Sequence, residues 1–423
     1  MAILVLFGSM TIFLALSLPI GIALGMSTAI ALVYTNSIPL IMIAQNAFAA
    51  LDSFPLLAIP FFMLAGSLMS YGGISKRLVC LAEAMVGAVQ GGLAMVTVTA
   101  CMFFAAISGS GPATVSAIGS FMIPAMNEKK YDHDFAAALT AAAGSIGVII
   151  PPSIPFVIYG VVSGVSVGEL FIAGIIPGII IGFSLMALSS RVAKKRGYPI
   201  SHNRMPVSQA LREALWALLV PVIILGGIYC GIFTPTEAAV CASVYAIIIG
   251  KFVYKELDFK TTYDAFKDAV LVNGATTFMI GLSMSFAAFL TMEQIPAKIC
   301  SWMLSLSSSP VVILLIINIF LLIVGCFVDN ISSMIILTPI LLPITNQIGI
   351  DPVHFGLVMT VALATGFVTP PYGANLFVAS AVSGVNMVDL SKAIVPMIIV
   401  MVLCLCLFTY VPQISMALVW LLR

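Results

Sequence analysis

Apolar stretches of about 20 residues recur from one end of this 423-residue chain to the other, and that length crosses a bilayer core. Only 8% of the residues are charged, against about 25% in an average soluble domain. So few charges cannot cover a soluble surface of this size. The chain reads as an all-α polytopic membrane protein, one membrane domain over residues 1–423, because helices satisfy every backbone group from within. A net charge of +1 points to no nucleic acid or acidic partner; the partner that the apolar spans imply is membrane lipid. The eight cysteines show neither zinc-type spacing nor a disulfide framework and read as small hydrophobes. The start, MAILVLFGSM, lacks a basic region and its apolar run continues past Val33. That is a retained span, not a cleaved signal.

Lysine and arginine collect on the cytoplasmic side of membrane proteins. The densest basic cluster is Arg191, Lys194, Lys195, Arg196, Arg204 and Arg212. Fixing it inside and counting outward gives spans at about 169–190, 213–232, 236–252, 274–291 and 394–421, with every basic residue inside except Lys298 and Arg423. Two apolar stretches do not fit single spans. Residues 90–126 are broken at Ser108-Gly109-Ser110-Gly111-Pro112 between basic flanks, and 310–347 at Val328-Asp329-Asn330. Each reads as a re-entrant helical hairpin, the first opening inward and the second outward. Residues 1–34 leave two arrangements open: one long tilted helix kinked near Pro19, or something more broken.

Two discontinuous helices follow the hairpins, at 135–165 and 353–384, broken at Pro151-Pro152 and Pro370-Pro371. They are copies. At an offset of 219, Gly147, Pro151 and Pro152 fall on Gly366, Pro370 and Pro371, and Ser110 falls on Asp329. In the predicted topology the copies have opposite orientation, and such an inverted repeat points to a secondary transporter with its site near the midplane. Proline lacks an N–H and clashes with the preceding turn, so each pair ends a helix. In lipid, irregular backbone survives only where protein, water or an ion satisfies it. Freed carbonyls with a few hydroxyls make a hard-oxygen cage suited to sodium, not to a transition metal. A helix restarting after Pro152 or Pro371 offers free N–H groups to an anion. Ser108 and Ser110 bring hydroxyls to the first tip. Asp329 brings a carboxylate to the second, and an ionisable group at membrane depth is a functional candidate. The bland alternatives are small-residue helix packing for the serines and, for Thr365 and Thr369, hydroxyls bonded back to their own helix. An enzyme reading fails: Gly109-Ser110-Gly111 is similar to the serine setting of intramembrane proteases, but His133, His202 and His354 all sit in predicted loops or at span ends.

With Phe54-Pro55-Leu56-Leu57-Ala58-Ile59-Pro60, Ser108-Gly109-Ser110-Gly111-Pro112-Ala113-Thr114, Gly147-Val148-Ile149-Ile150-Pro151-Pro152-Ser153, Gly231-Ile232-Phe233-Thr234-Pro235-Thr236-Glu237 and Val368-Thr369-Pro370-Pro371-Tyr372-Gly373, the chain resembles the large membrane subunit of the tripartite ATP-independent periplasmic (TRAP) transporters. The resemblance implies an elevator-type ion transporter fold in the bacterial inner membrane, driven by at least two sodium ions. It implies organic-acid substrates of the sialic acid or C4-dicarboxylate class, sialic acid being the expectation here. Two partners follow: a periplasmic substrate-binding protein and a small four-helix membrane subunit, expected as a separate chain. The alternative is a stand-alone sodium–carboxylate symporter. One sodium site is expected at Ser108, Ser110, Gly147, Ile150 and Pro152, and a second, tighter one at Gly325, Asp329, Thr365, Gly366 and Thr369. Substrate is expected near Gly111, Asn330, Ser153 and Asn375. The elevator division assigns 1–73, 169–256 and 391–423 to a scaffold. Residues 74–168 and 257–390 form the moving parts, each opening with an amphipathic arm, at about 74–89 and 257–273.

Overall fold

The computed structural model describes residues 2–16, 18–36, 38–199, 205–306 and 309–422; Arg204, His202, Arg423 and the Trp302 side chain lie outside that description. Among the described residues the chain forms α-helices and short 3-10 and π turns, with no strand. The helices are α1 (Ala2–Ala15), α2 (Ile20–Thr35), α3 (Ile41–Leu51), α4 (Ala58–Tyr71), α5 (Ile74–Val86), α6 (Gly92–Ser108) and α7 (Gly111–Glu128). Then come α8 (His133–Gly144), α9 (Ile154–Ser163), α10 (Val167–Arg196), α11 (Val207–Tyr229), α12 (Pro235–Ile248), α13 (Phe259–Met292) and α14 (Ile295–Leu306). The last are α15 (Pro310–Phe327), α16 (Asn330–Gln347), α17 (Pro352–Gly366), α18 (Ala374–Ser383), α19 (Met387–Ala393), α20 (Val395–Tyr410) and α21 (Pro412–Leu422). Among the described residues, six helical segments are long and apolar enough to cross a membrane, seven if α19 and α20, bent by 51°, count as one. This is a multi-pass membrane protein.

Local chemistry sets most of these ends. Ser110, Ser153 and Ser166 cap α7, α9 and α10 by accepting an N–H from the first turn, and Asp329 does the same for α16. Thr234 and Glu237 form a reciprocal capping box at α12 with proline in the first turn, as the Thr-x-x-Glu spacing requires. Glycines in the left-handed region close α6, α9 and α18 at Gly109, Gly164 and Gly384.

The repeat offset reappears in the elements. Shifted by 219, Gly111–Glu128 (α7) lands on Asn330–Gln347 (α16). Shifted by 220, Ile154–Ser163 (α9) lands on Ala374–Ser383 (α18).

Packing sorts the helices into two groups. In one, α12 bonds α4 through Ser243 Oγ to Phe61 O (2.9 Å), α4 bonds α13 through Ser67 Oγ to Ala265 O (3.0 Å), and α13 bonds α3 through Ser285 Oγ to Ile43 O (2.8 Å). Phe7 of α1 packs edge-on to Phe286 of α13, and α11 joins through Tyr245 OH to Trp216 O. The other group holds α6–α10 and α15–α21. Asn318 of α15 donates to Thr409 of α20 (2.8 Å), and His354 of α17 bonds Ser415 of α21 (2.8 Å). Two short helices bridge the groups: α5 packs on α6 and α11, α14 on α16 and α13.

Several expectations change here. Of the two arrangements left open for residues 1–34, the structure takes the more broken one, two packed helices parted before Ile20. Residues 257–273 are not a separate arm: Asp258 caps, and Phe259 onward begins, the continuous 34-residue α13. The bridging helix equivalent to α5, at close to the same offset, is α14, a segment assigned to no arm or span. The final span 394–421 is two helices, parted at Val411-Pro412. Finally, α10 and α20–α21, expected within the scaffold, pack with the hairpins and broken helices. The reason is residue size. Gly174, Gly178 and Gly182 of α10 are open enough for Phe156, Ile150 and Met102 to lie directly on its backbone. His354 stands in the first turn of α17, at the end of the span as expected, and is buried there.

Candidate ion and substrate site

The first hairpin docks its tip on the break of its own broken helix, and the second meets its own broken helix a turn before the tip. In the first, Ile154 N–H donates to Gly109 O (3.2 Å), joining the restart of the broken helix to the turn between α6 and α7. A methyl group on Gly109 would lie 2.8 Å from Pro152 O, and φ there is +63°, so only glycine makes this turn without strain. Ser108 Oγ and Thr114 Oγ1 are 3.0 Å apart, and Thr114 donates to Ser110 O (2.8 Å). Gly147 sits on the same cluster: a methyl there would overlap Thr114 Oγ1 and lie 2.7 Å from Ser110 O. Ser108, Ser110, Gly147 and Pro152 are therefore brought together. The Ile150 side chain turns to Gly178 of α10, so the group Ile150 could offer an ion is its backbone carbonyl.

In the second repeat the contact is backbone on backbone. A methyl on Gly325 would lie 3.0 Å from both Gly366 Cα and Leu363 O, so hairpin and broken helix touch where neither carries a side chain. Asp329 Oδ2 accepts the N–H groups of Ile331 (3.0 Å) and Ser332 (3.1 Å). Its carboxylate thus sits on the N-terminus of α16, where the helix dipole favours an anion. Thr365 donates to Val361 O and Thr369 to Thr365 O, both at 2.8 Å. Both hydroxyls are bonded back to their own helix, and each oxygen keeps lone pairs. Pro151-Pro152 and Pro370-Pro371 are both cis peptides.

The expected substrate residues divide. Gly111 and Asn375 meet: a methyl on Gly111 would lie 3.1 Å from Asn375 Oδ1. Asn375 Nδ2 donates to Ala141 O (3.3 Å), while its buried Oδ1 has no protein partner. Asn330, at the second tip, is buried with both amide atoms unpartnered. Buried amides without partners are uncommon in native proteins, which marks Asn330 and Asn375 as poised for something outside the chain. Ser153 is committed within the first break, capping α9 and donating to Val148 O (2.6 Å). Thr114 and Ser333, equivalents at the offset of 219, were overlooked. Both are buried, and Ser333 Oγ has no partner. The repeat spacing is the signal that would have found them.

The broken helices clasp each other end to start. Tyr159 OH, late in α9, donates to Pro352 O at the start of α17 (2.7 Å). His133 Nε2, at the start of α8, bonds Ser383 O at the end of α18 (2.9 Å). The two broken helices therefore run in opposite directions. Two cavities lie between the helix groups. One, of about 460 Å³, is lined by Phe54, Pro55, Gly164, Val165, Thr234 and Thr236. The other, of about 570 Å³, runs from Ser108 and Ser110 past Ser67, Ser116 and Tyr71 to Asp268, whose carboxylate accepts from Tyr71 OH (2.7 Å).

Two helices broken at proline pairs, each docked on its own hairpin within an all-helical membrane bundle, define a membrane transporter rather than an enzyme. The particular family follows from comparison: the chain belongs to the tripartite ATP-independent periplasmic transporter family, DctM component, whose sequence profile matches residues 7–414. It is 50% identical over 415 residues to the isethionate TRAP transporter permease protein DctMQ of Oleidesulfovibrio alaskensis, covering 97% of this chain and 65% of that protein. It is 42% identical to the C4-dicarboxylate TRAP transporter large permease protein DctM of Pseudomonas aeruginosa (94% and 93% covered), and 38% identical to the sialic acid TRAP transporter large permease protein SiaM of Vibrio cholerae (95% and 94% covered). Among solved structures, the Alcanivorax borkumensis YdaH transporter, of unusual topology, aligns with a TM-score of 0.64 over 90% of this chain and 88% of that one. At 14% identity the likeness is one of fold.

Proposed function

We propose that the chain is the large permease of a sodium-driven uptake system for a small organic anion in the bacterial inner membrane. The observation that carries this reading is the pairing of each broken helix with its own hairpin, the two broken helices running oppositely. Matched broken helices at a repeat interface are where secondary transporters hold ions and substrate. Sodium would bind at Ser108, Ser110, Gly147 and Pro152 with Thr114, and at Gly325, Asp329, Thr365, Gly366 and Thr369 with Ser333. The anion would lie against Asn330, whose amide N–H groups have no acceptor in the protein, and Asn375, whose amide nitrogen has one hydrogen left beyond the one it gives Ala141 O. The group α6–α10 and α15–α21 would move as one body against α1–α4 and α11–α13, with α5 and α14 as the connections, in an elevator cycle. The cavity ending on Ser108 and Ser110 would be the inward route.

The relatives span a sulfonate, C4-dicarboxylates and a sialic acid. We place an isethionate-like sulfonate first, then a C4-dicarboxylate, ahead of the sialic acid expected from sequence, because the isethionate relative is 50% identical against 38% for the sialic acid one. A periplasmic binding protein would deliver it, and a small membrane subunit would complete the complex. Uptake of labelled isethionate into proteoliposomes tests this. The expected result is uptake that needs both an inward sodium gradient and the binding protein. Sodium-driven uptake without that protein would favour a stand-alone symporter, and no sodium dependence would refute the coupling.

A further inference from the structure

We infer that Gly174 and Gly178 of α10 are positioning residues for the first break, holding the peptide unit between Ile149 and Ile150 and through it the oxygens of the first sodium site. The inference rests on the sodium reading above and adds to it a helix that supplies no ligand of its own.

The geometry is specific. A methyl group on Gly174 would overlap the Ile149 carbonyl oxygen and lie 2.6 Å from Phe156 Cε2. A methyl on Gly178 would overlap Ile150 Cγ1 and lie 3.5 Å from the Ile150 backbone nitrogen. The Ile149 carbonyl and the Ile150 N–H belong to one planar peptide unit. Residues four apart lie on one helix face, one turn from each other. The two glycines therefore straddle that unit. Both Ile149 and Ile150 donate to Ile146 O, at 2.9 and 3.0 Å, and the next two residues are prolines with no N–H to give. The unit is the last turn of the first half-helix before the chain crosses to the hairpin tip. Anything that displaces it displaces Pro152 O, which lies against Gly109, and Gly147, which lies against Ser110 O.

Small residues commonly let membrane helices approach. Here they let a helix approach irregular backbone instead. The second break is held differently. At the offset of 220 the equivalents of Gly174 and Gly178 are Ile394 and Ile398. Close approach there comes from Gly325 meeting Gly366, hairpin on broken helix. The first break is thus clamped from behind by α10 and the second from in front by its own hairpin.

The two glycines and their neighbour Gly182 form a graded test. A methyl at Gly174 meets backbone, which cannot rotate away. At Gly178 it meets an isoleucine branch, and at Gly182 the thioether of Met102, the most adaptable of the three. The experiment is thermal unfolding of the purified permease complex, titrated with sodium chloride against choline chloride at constant ionic strength. Gly174→Ala should raise the sodium concentration for half-maximal stabilisation about tenfold, Gly178→Ala about threefold, and Gly182→Ala less than about twofold, following the cost of overpacking at each site. If Gly174→Ala does not accumulate, Gly178→Val reaches the Ile150 amide from the next turn and should give the tenfold shift. A folded Gly174→Ala protein with wild-type sodium dependence overturns the inference. So does a Gly182→Ala shift as large as that of Gly174→Ala, which would mean general loosening of α10. A wild-type complex with no sodium-specific stabilisation would refute the sodium reading itself, and the inference with it.

Discussion

Asp329→Asn separates two jobs that one carboxylate performs. Asp329 Oδ2 accepts two N–H groups at 3.0 and 3.1 Å, so it caps α16. Asparagine caps a helix as well as aspartate does, whereas alanine at such a position costs about 1 kcal/mol. The Asn variant should therefore fold and insert like the wild type, and the Ala variant slightly less well. What Asn removes is the charge. A unit charge 4 Å from a monovalent cation is worth about 4 kcal/mol at an effective dielectric constant near 20. The two N–H groups already stabilise the carboxylate and offset part of this, leaving about 2–4 kcal/mol, or roughly 30- to 1,000-fold in affinity. The assay is sodium activation of uptake in proteoliposomes at fixed substrate and binding protein. The half-activating sodium concentration should move beyond the accessible range, leaving uptake near background. An Asp329→Asn protein whose sodium dependence stays within about twofold of wild type would show that the carboxylate is only a helix cap, and would remove the charged member of the second site.

Other outcomes follow from the same geometry. Ser110→Ala removes a neutral cap and hydroxyl, so its sodium half-activation should rise less than about tenfold, well short of Asp329→Asn; the reverse order would contradict a tighter second site. Asn375→Ala removes an amide that faces Gly111 and leaves Ala141 O without its donor; the substrate concentration for half-maximal uptake should rise about tenfold, with sodium activation little changed, as an uptake matrix varying both solutes would reveal. Asp132, in the turn before α8, pairs with Arg196 and accepts from Tyr198 OH (2.8 Å) with both charged side chains about half exposed. Asp132→Asn should therefore cost no more than about 1 kcal/mol and leave transport intact; a large loss of uptake would mean that this link moves in the cycle.

Much of the site is legible residue by residue. Proline pairs stop helices wherever they stand, and serine, aspartate or threonine–glutamate caps start them. The hairpin limits, the two breaks, their tips and the repeat that relates them were all readable, because each depends on a few neighbouring residues. Ser108, Ser110, Gly147 and Pro152 were grouped by the family resemblance, and the structure brings them together. Thr114 and Ser333 were missed because a hydroxyl one turn into a helix looks like ordinary small-residue packing until its partners are seen. Ile150 was placed with the ligands for its carbonyl; that its side chain packs on Gly178 of α10 was not legible, because it depends on a helix distant in sequence.

The sequence by itself determined that this chain crosses a membrane, where its backbone must break, and which oxygens and amides stand at the breaks. Those are consequences of length, hydropathy and the missing N–H of proline. Only the tertiary structure decided which helices keep company: that α10 and α20–α21 pack with the hairpins, that α13 runs unbroken through residue 273, and that α14 is the partner of α5. The physical reason lies in the solvent. In lipid, a helix face turned to a neighbour is as apolar as one turned to the bilayer, so hydropathy does not tell them apart. The choice is made by shape, as when Gly174 and Gly178 let α10 close on the very break whose position was plain from the start.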